Sequence, residues 1–130
     1  GTLSILAGCS SGIEPVFGKN FTKTVLDKVV LDLGNKYKDI KDSLLVTALD
    51  ISVEKHIEMQ AAFQSYTDNA VSKTINLPDS ATKEDVKKAF LLAHSLGCKG
   101  VTIYRDGSRQ NAPLQNSPEL SECENGKCLI

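Results

Sequence analysis

Apolar and polar positions follow a period that changes from segment to segment up to residue 109, and lose any period beyond it. Thr2 to Ala7 is apolar and suits either a strand or a helix start; it runs into a small-residue turn, Gly8-Cys9-Ser10-Ser11-Gly12, closed by Glu14-Pro15. From Asn20 to Leu33, apolar Phe21, Val25, Leu26, Val29, Val30 and Leu33 recur at helical spacing, which predicts a helix stopped by Gly34-Asn35. Ser43 to Leu49 reads as a buried segment. Ser52 then fits the N-cap of a helix carrying Ile57, Ala61 and Phe63 through about Tyr66. Ala70 to Pro78 is partly β-branched and stopped by proline, as a strand with its exit loop would be. Thr82 and Asp85 fit a capping box, Val86, Ala89, Phe90, Ala93 and Leu96 form one apolar stripe, and Gly97 is placed to stop that helix. Val101 to Tyr104 predicts a further strand, closed by the turn Arg105-Asp106-Gly107-Ser108. Strand, helix and strand in that order predict a βαβ unit with parallel pairing. Gln110 onward is rich in Pro, Asn, Gln, Ser and Glu and predicts a flexible tail. The expected organisation is therefore an α/β unit over 1–109 and a tail over 110–130.

Composition narrows the function classes. A chain of 130 residues that is 41% hydrophobic supports one modest core, or a piece of a larger one. Its formal charge of −1 offers no basic excess for nucleic acid or an anionic membrane. The longest apolar runs, such as Leu44 to Leu49, fall far short of the roughly 20 residues a membrane helix needs. No secretory signal opens the chain, so a cytoplasmic location is expected. The absence of an initiator Met suggests a fragment.

Four cysteines stand at 9, 98, 123 and 128. Cys123 and Cys128 lie close together in the tail, where a disulfide would be exposed, unsupported by packing and readily exchanged. A dithiol shuttle, half of a zinc site and no role at all are the readings of that pair; zinc is the weaker, since a closed site wants four ligands and only these two cysteines are neighbours. Gly1-Thr2-Leu3-Ser4 offers backbone N–H groups and two hydroxyls to a phosphate if a helix begins there, although a capped turn without a ligand is the more frequent meaning of such a string. Cys9 and Cys98 are expected to be packed small residues, His56 and His94 structural histidines, and Tyr104 a buried filler. Lys83, Lys87 and Lys88 read as the solvated face of their helix.

Three strings change the odds together: Gly1 to Pro15 (GTLSILAGCSSGIEP), Thr47 to Asn76 with its TALDIS and TDNAVSKTIN ends, and Leu96 to Ser108 (LGCKGVTIYRDGS). Each resembles class II, vitamin B12-dependent ribonucleotide reductases, in the same order; the stretch between Phe17 and Leu44 looks shorter than in that family. The resemblance implies the C-terminal part of a ten-stranded α/β barrel followed by the tail. It implies a parent that replaces the ribose 2'-hydroxyl by hydrogen through a thiyl radical, with adenosylcobalamin as cofactor. Gly1, Thr2, Leu3 and Ser4 would close the loop that binds the substrate's phosphates. Cys123 and Cys128 would carry electrons from a thioredoxin-like reductant to the disulfide formed in each turnover. The implied partners are the ribonucleotide, that reductant and the remainder of the reductase chain, with no direct nucleic acid and no membrane. This segment alone would be inactive, because the motif holding the radical cysteine is not in it. Class I enzymes resemble the region as well, but their final strand carries a Tyr-Tyr pair where this chain has Ile103-Tyr104; the Cys-x4-Cys ending, conversely, is the class I form. A class I large-subunit fragment and a standalone redox or nucleotide-binding module are the competing readings.

Overall fold

In the computed structural model, residues 2–18, 21–25, 28–32, 37, 39–108 and 114–116 are described, and the element order is α1 (Thr2–Leu6), β1 (Phe21–Val25), β2 (Lys28–Asp32), a 3-10 turn (Asp42–Leu44), α2 (Val53–Gln64), β3 (Thr74–Leu77), α3 (Lys83–Ser95), β4 (Thr102–Arg105) and β5 (Leu114–Asn116). The strand, helix and strand expected at 70–104 are present. β3 and β4 pair in parallel, Thr74 opposite Thr102 and Asn76 opposite Tyr104, with α3 as the crossover.

Alternation along these two strands sorts their side chains by face. Ile75 and Leu77 are buried against Ile57 of α2 and Ala89 and Ala93 of α3, and Val86, Leu92, Cys98 and Ile103 pack around that cluster. α2 packs on β3, and the small Ala89 and Ala93 let α3 pack against α2 at this cluster. The expected helical stripes are only partly the buried ones: Phe63 is 48% exposed and Phe90 50%. A period of 3.6 marks a face several residues wide, and the sheet covers only its centre.

Both helices start as their sequences require. The Ser52 hydroxyl accepts from Lys55 N at 3.3 Å, and Thr82 and Asp85 form a reciprocal capping box. α3 ends where Gly97 turns at φ 75°, with Cys98 N donating to Ala93 O at 3.0 Å. This is the paired ending that a left-handed residue permits and that glycine adopts without strain. Two glutamines hold the return loop: Gln60 Nε2 donates to the carbonyls of Val71 and Gly100, and Gln64 Nε2 donates to Thr67 O and Asn69 O while its Oε1 accepts from Val71 N.

Three expectations are corrected. Asn20 to Leu33 is not a helix: Phe21–Val25 and Lys28–Asp32 form an antiparallel pair with an irregularity between Lys23 and Thr24. The apolar positions fit a helical period, but Thr22, Thr24, Val25, Val29 and Val30 are β-branched, and their restricted side chains favour extended backbone. Leu114–Asn116, inside the stretch read as tail, adds to the other edge of β1. Nor is Ser43 to Leu49 a buried run. Leu44 is 74% and Val46 57% exposed, while Ala48 alone is buried, at 2%. A single parallel bridge joins Thr47 to Val16, with Ala48 N donating to Val16 O at 2.8 Å.

His56 is the structural histidine expected, 1% exposed, its Nε2 2.9 Å from Ala48 O and its Nδ1 unpartnered. Burial holds its pKa below the usual 6.5, only partly opposed by the bond to Ala48. The unfolded chain therefore binds a proton that the folded chain refuses, so this contribution to stability is present above about pH 6.5 and lost as pH falls below it. Denaturant unfolding at pH 7.5 and at pH 5.5 should show wild-type stability dropping at the lower pH, with a smaller drop in His56→Gln. Equal pH dependence in the two proteins would contradict this.

Candidate functional site

The N-terminal segment is built as a short helix and a chain of turns. α1 spans Thr2 to Leu6, which decides the strand-or-helix ambiguity of that stretch. Its end is a second glycine-dependent stop: Gly8 sits at φ 63°, Ala7 N bonds Leu3 O at 2.9 Å, and Cys9 N reaches Ser4 O at 3.0 Å. Of the phosphate-binding candidates, Thr2, Leu3 and Ser4 lie in this helix and Gly1 lies outside the described residues. Leu3 is 81% exposed.

Glu14 fastens this segment to the βαβ unit. Its Oε2 accepts from Lys73 Nζ at 2.9 Å and its Oε1 from the backbone N–H of Thr74 at 2.5 Å. Lys73 is 2% exposed and gives a further proton to Thr74 O at 2.9 Å. An ammonium that deeply buried persists as a charge only when paired and hydrogen-bonded, so the carboxylate is fully committed. In the local sequence pattern Glu14 is only the closing residue of a turn, and nothing local connects it to Lys73, fifty-nine positions away.

Between this segment and the sheet lies a cleft of about 420 Å³, walled by Glu14, Pro15 and Phe17 and floored by Thr74, Asn76 and Tyr104. The floor is the face of β3 and β4 turned away from the core cluster, and it is polar where the core face is Ile and Leu. Tyr104 departs from the buried filler that its strand position predicts. Its ring is half-buried, but its hydroxyl is enclosed without a hydrogen-bond partner. The polar and apolar alternation of Thr74-Ile75-Asn76-Leu77 was the available signal for this face.

The thiols divide. Cys9 is exposed, contrary to the packed residue expected, because it follows the helix-ending Gly8 in an open turn. Cys98 is half-buried against the core, and burial pushes its thiol pKa up. A thiol reagent at pH 8 should modify Cys9 well before Cys98, as read by peptide mass mapping; the reverse order would contradict the packing. Cys123 and Cys128 lie outside the described residues. Among the described residues, no group of three or more His, Cys, Asp or Glu side chains is placed to hold a metal, and no helix is long and apolar enough to cross a membrane.

Comparison with known proteins gives one family and a consistent set of relatives. Residues 1–104 match the family model described as ribonucleotide reductase, barrel domain. The chain is 38% identical over 139 residues to a vitamin B12-dependent ribonucleoside-diphosphate reductase of Thermoplasma acidophilum, covering 84% of this chain and 18% of that protein. A protein of the same description from Mycobacterium tuberculosis is 31% identical over 147 residues, covering 90% of this chain and 21% of the relative. A vitamin B12-dependent ribonucleotide reductase of Bradyrhizobium diazoefficiens is 47% identical over 74 residues, 57% of this chain and 6% of its own length. The chain thus spans about a fifth or less of the relatives it matches. The first alignment is longer than the 130 residues of this chain, so that relative carries residues with no counterpart here.

Proposed function

The chain belongs to the ribonucleotide reductase barrel-domain family, and on that footing we propose that it works as the C-terminal segment of a vitamin B12-dependent ribonucleotide reductase, within a ten-stranded α/β barrel. The observation that carries this reading is the match of residues 1–104, which takes in both the N-terminal turn and the βαβ unit.

The net reaction exchanges a ribonucleotide 2'-hydroxyl for hydrogen. The hydroxyl leaves as water, and two thiols of the parent chain supply two electrons and become a disulfide. Adenosylcobalamin supplies the radical that starts the exchange. Among the described residues, His56 is buried with Nε2 bonded to Ala48 O, and the walls of the cleft present no imidazole to it. The tasks of this segment are to bind and to recharge. In this reading, as the resemblance implies, Gly1, Thr2, Leu3 and Ser4 would offer N–H groups and hydroxyls to the substrate's phosphates. Cys123 or Cys128, as thiolate, attacks the parent's disulfide; its partner resolves the mixed disulfide, leaving the tail oxidised, and a thioredoxin-like dithiol reduces the tail in turn. The test is formation of 2'-deoxynucleotide from a ribonucleoside di- or triphosphate. The complete reductase carrying this segment is expected to form it and the 130-residue chain to form none. Product from the chain alone, or none from the complete reductase, would overturn the reading.

A further inference from the structure

Leu3 and Leu6 of α1 stand exposed, as do residues 7–10, so apolar packing within this chain does little to place the N-terminal segment. Polar, directional contacts do more. Followed back from the sheet, Glu14 accepts from Lys73 Nζ at 2.9 Å and from Thr74 N at 2.5 Å, Glu14 N donates to Ser11 O at 2.9 Å, and Cys9 N donates to Ser4 O at 3.0 Å. Apolar contact is non-directional. A carboxylate with one donor on each oxygen instead fixes both the place and the rotation of residue 14. Lys73 is enclosed and is itself anchored on Thr74 O at 2.9 Å, so its ammonium is not free to follow a carboxylate that moves. Two residues further on, Val16 O accepts from Ala48 N at 2.8 Å and holds the far side of the same segment. A displacement of Glu14 is therefore passed through the Ser11–Glu14 and Ser4–Cys9 turns to α1.

We propose that the Glu14–Lys73 ion pair is a positioning device: it sets where α1 stands relative to β3, and so how tightly the substrate's phosphates are held, without touching the substrate. The proposal rests on the reading of Gly1 to Ser4 as the phosphate-binding residues. Both Glu14 oxygens are engaged by Lys73 and Thr74, which makes these two charged residues positioning residues rather than ligands. Weakening a grip that acts equally on bound substrate and transition state raises KM and leaves kcat in place. That split is the signature expected of the pair.

The test uses the complete reductase with adenosylcobalamin and a small dithiol as reductant, below the melting temperature of every variant. It measures kcat, the KM of a ribonucleoside diphosphate, and competitive inhibition by inorganic pyrophosphate, which reads phosphate binding alone. Glu14→Gln should raise KM and the pyrophosphate inhibition constant together, roughly ten- to hundredfold, the worth of one charge-assisted hydrogen bond, with kcat within about twofold. Because Glu14→Gln strands the buried Lys73 charge and lowers the melting temperature, two further variants separate position from stability. Glu14→Gln with Lys73→Met leaves no buried charge and should melt close to wild type, yet keep both constants raised. Ile57→Val trims the core in α2, lowers the melting temperature with the ion pair intact, and should leave both constants at wild-type values. The proposal is overturned if pyrophosphate inhibits wild type and the Glu14 variants equally, or if Ile57→Val raises the constants as Glu14→Gln does. Pyrophosphate that fails to compete with substrate even in the wild type would remove the phosphate reading itself, and the positioning role with it.

Discussion

Serine in place of Cys123 or Cys128 should stop thioredoxin-driven turnover of the complete reductase after the electrons already stored in it are spent. Pre-reduced enzyme would yield its single round of product and then stall with its internal disulfide closed. The physical reason is access. A disulfide formed inside a substrate site is screened from a protein reductant, whereas in the proposed role a thiol pair beyond β5 would carry electrons between the two. One thiol alone is not enough, because the mixed disulfide it forms needs the second to resolve it. A small dithiol reaches the internal disulfide directly, so the serine variants should keep turnover with that reductant. Unchanged thioredoxin-driven turnover in both variants would remove the shuttle.

Ile75→Ala should be the most damaging single truncation in the βαβ unit. Ile75 is fully buried in β3, opposite Ile103 of β4 and in one core cluster with Ile57 of α2 and Ala89 and Ala93 of α3. Truncation there removes three carbons and leaves a cavity that a two-stranded parallel pair cannot collapse around, at a cost of roughly 2–5 kcal/mol. Folded domains are stable by only about 5–15 kcal/mol, so equilibrium denaturant unfolding should show a midpoint far below wild type. Phe90→Ala removes a larger side chain, but one that is 50% exposed, and should cost clearly less. Equal losses in the two variants would mean that the core lies elsewhere.

How much of this the sequence revealed depended on the range of the interaction. Caps and stops are decided within four or five residues, and Ser52, Thr82 with Asp85, and Gly97 all act as their spacing implies. The parallel pairing followed from element order, since a strand, a helix and a short second strand have few other ways to bury one apolar face. The helix expected from Asn20 to Leu33 failed because apolar spacing and side-chain branching pointed in opposite directions, and branching prevailed. The Glu14–Lys73 pair, the lone burial of Ala48 and the enclosed Tyr104 hydroxyl arise from contacts across tens of residues, which no local pattern encodes. The candidate phosphate turn and the tail pair were visible as residue types, but they gained roles only from resemblance.

The most direct measurement of the central claim is the cofactor dependence of 2'-deoxynucleotide formation by the complete reductase, assayed with a ribonucleotide and reduced thioredoxin, with and without adenosylcobalamin. The expected result is product only when adenosylcobalamin is present, in keeping with the relatives' description as vitamin B12-dependent. Product formed without adenosylcobalamin, and only after a separate radical-supplying subunit is added, would contradict it.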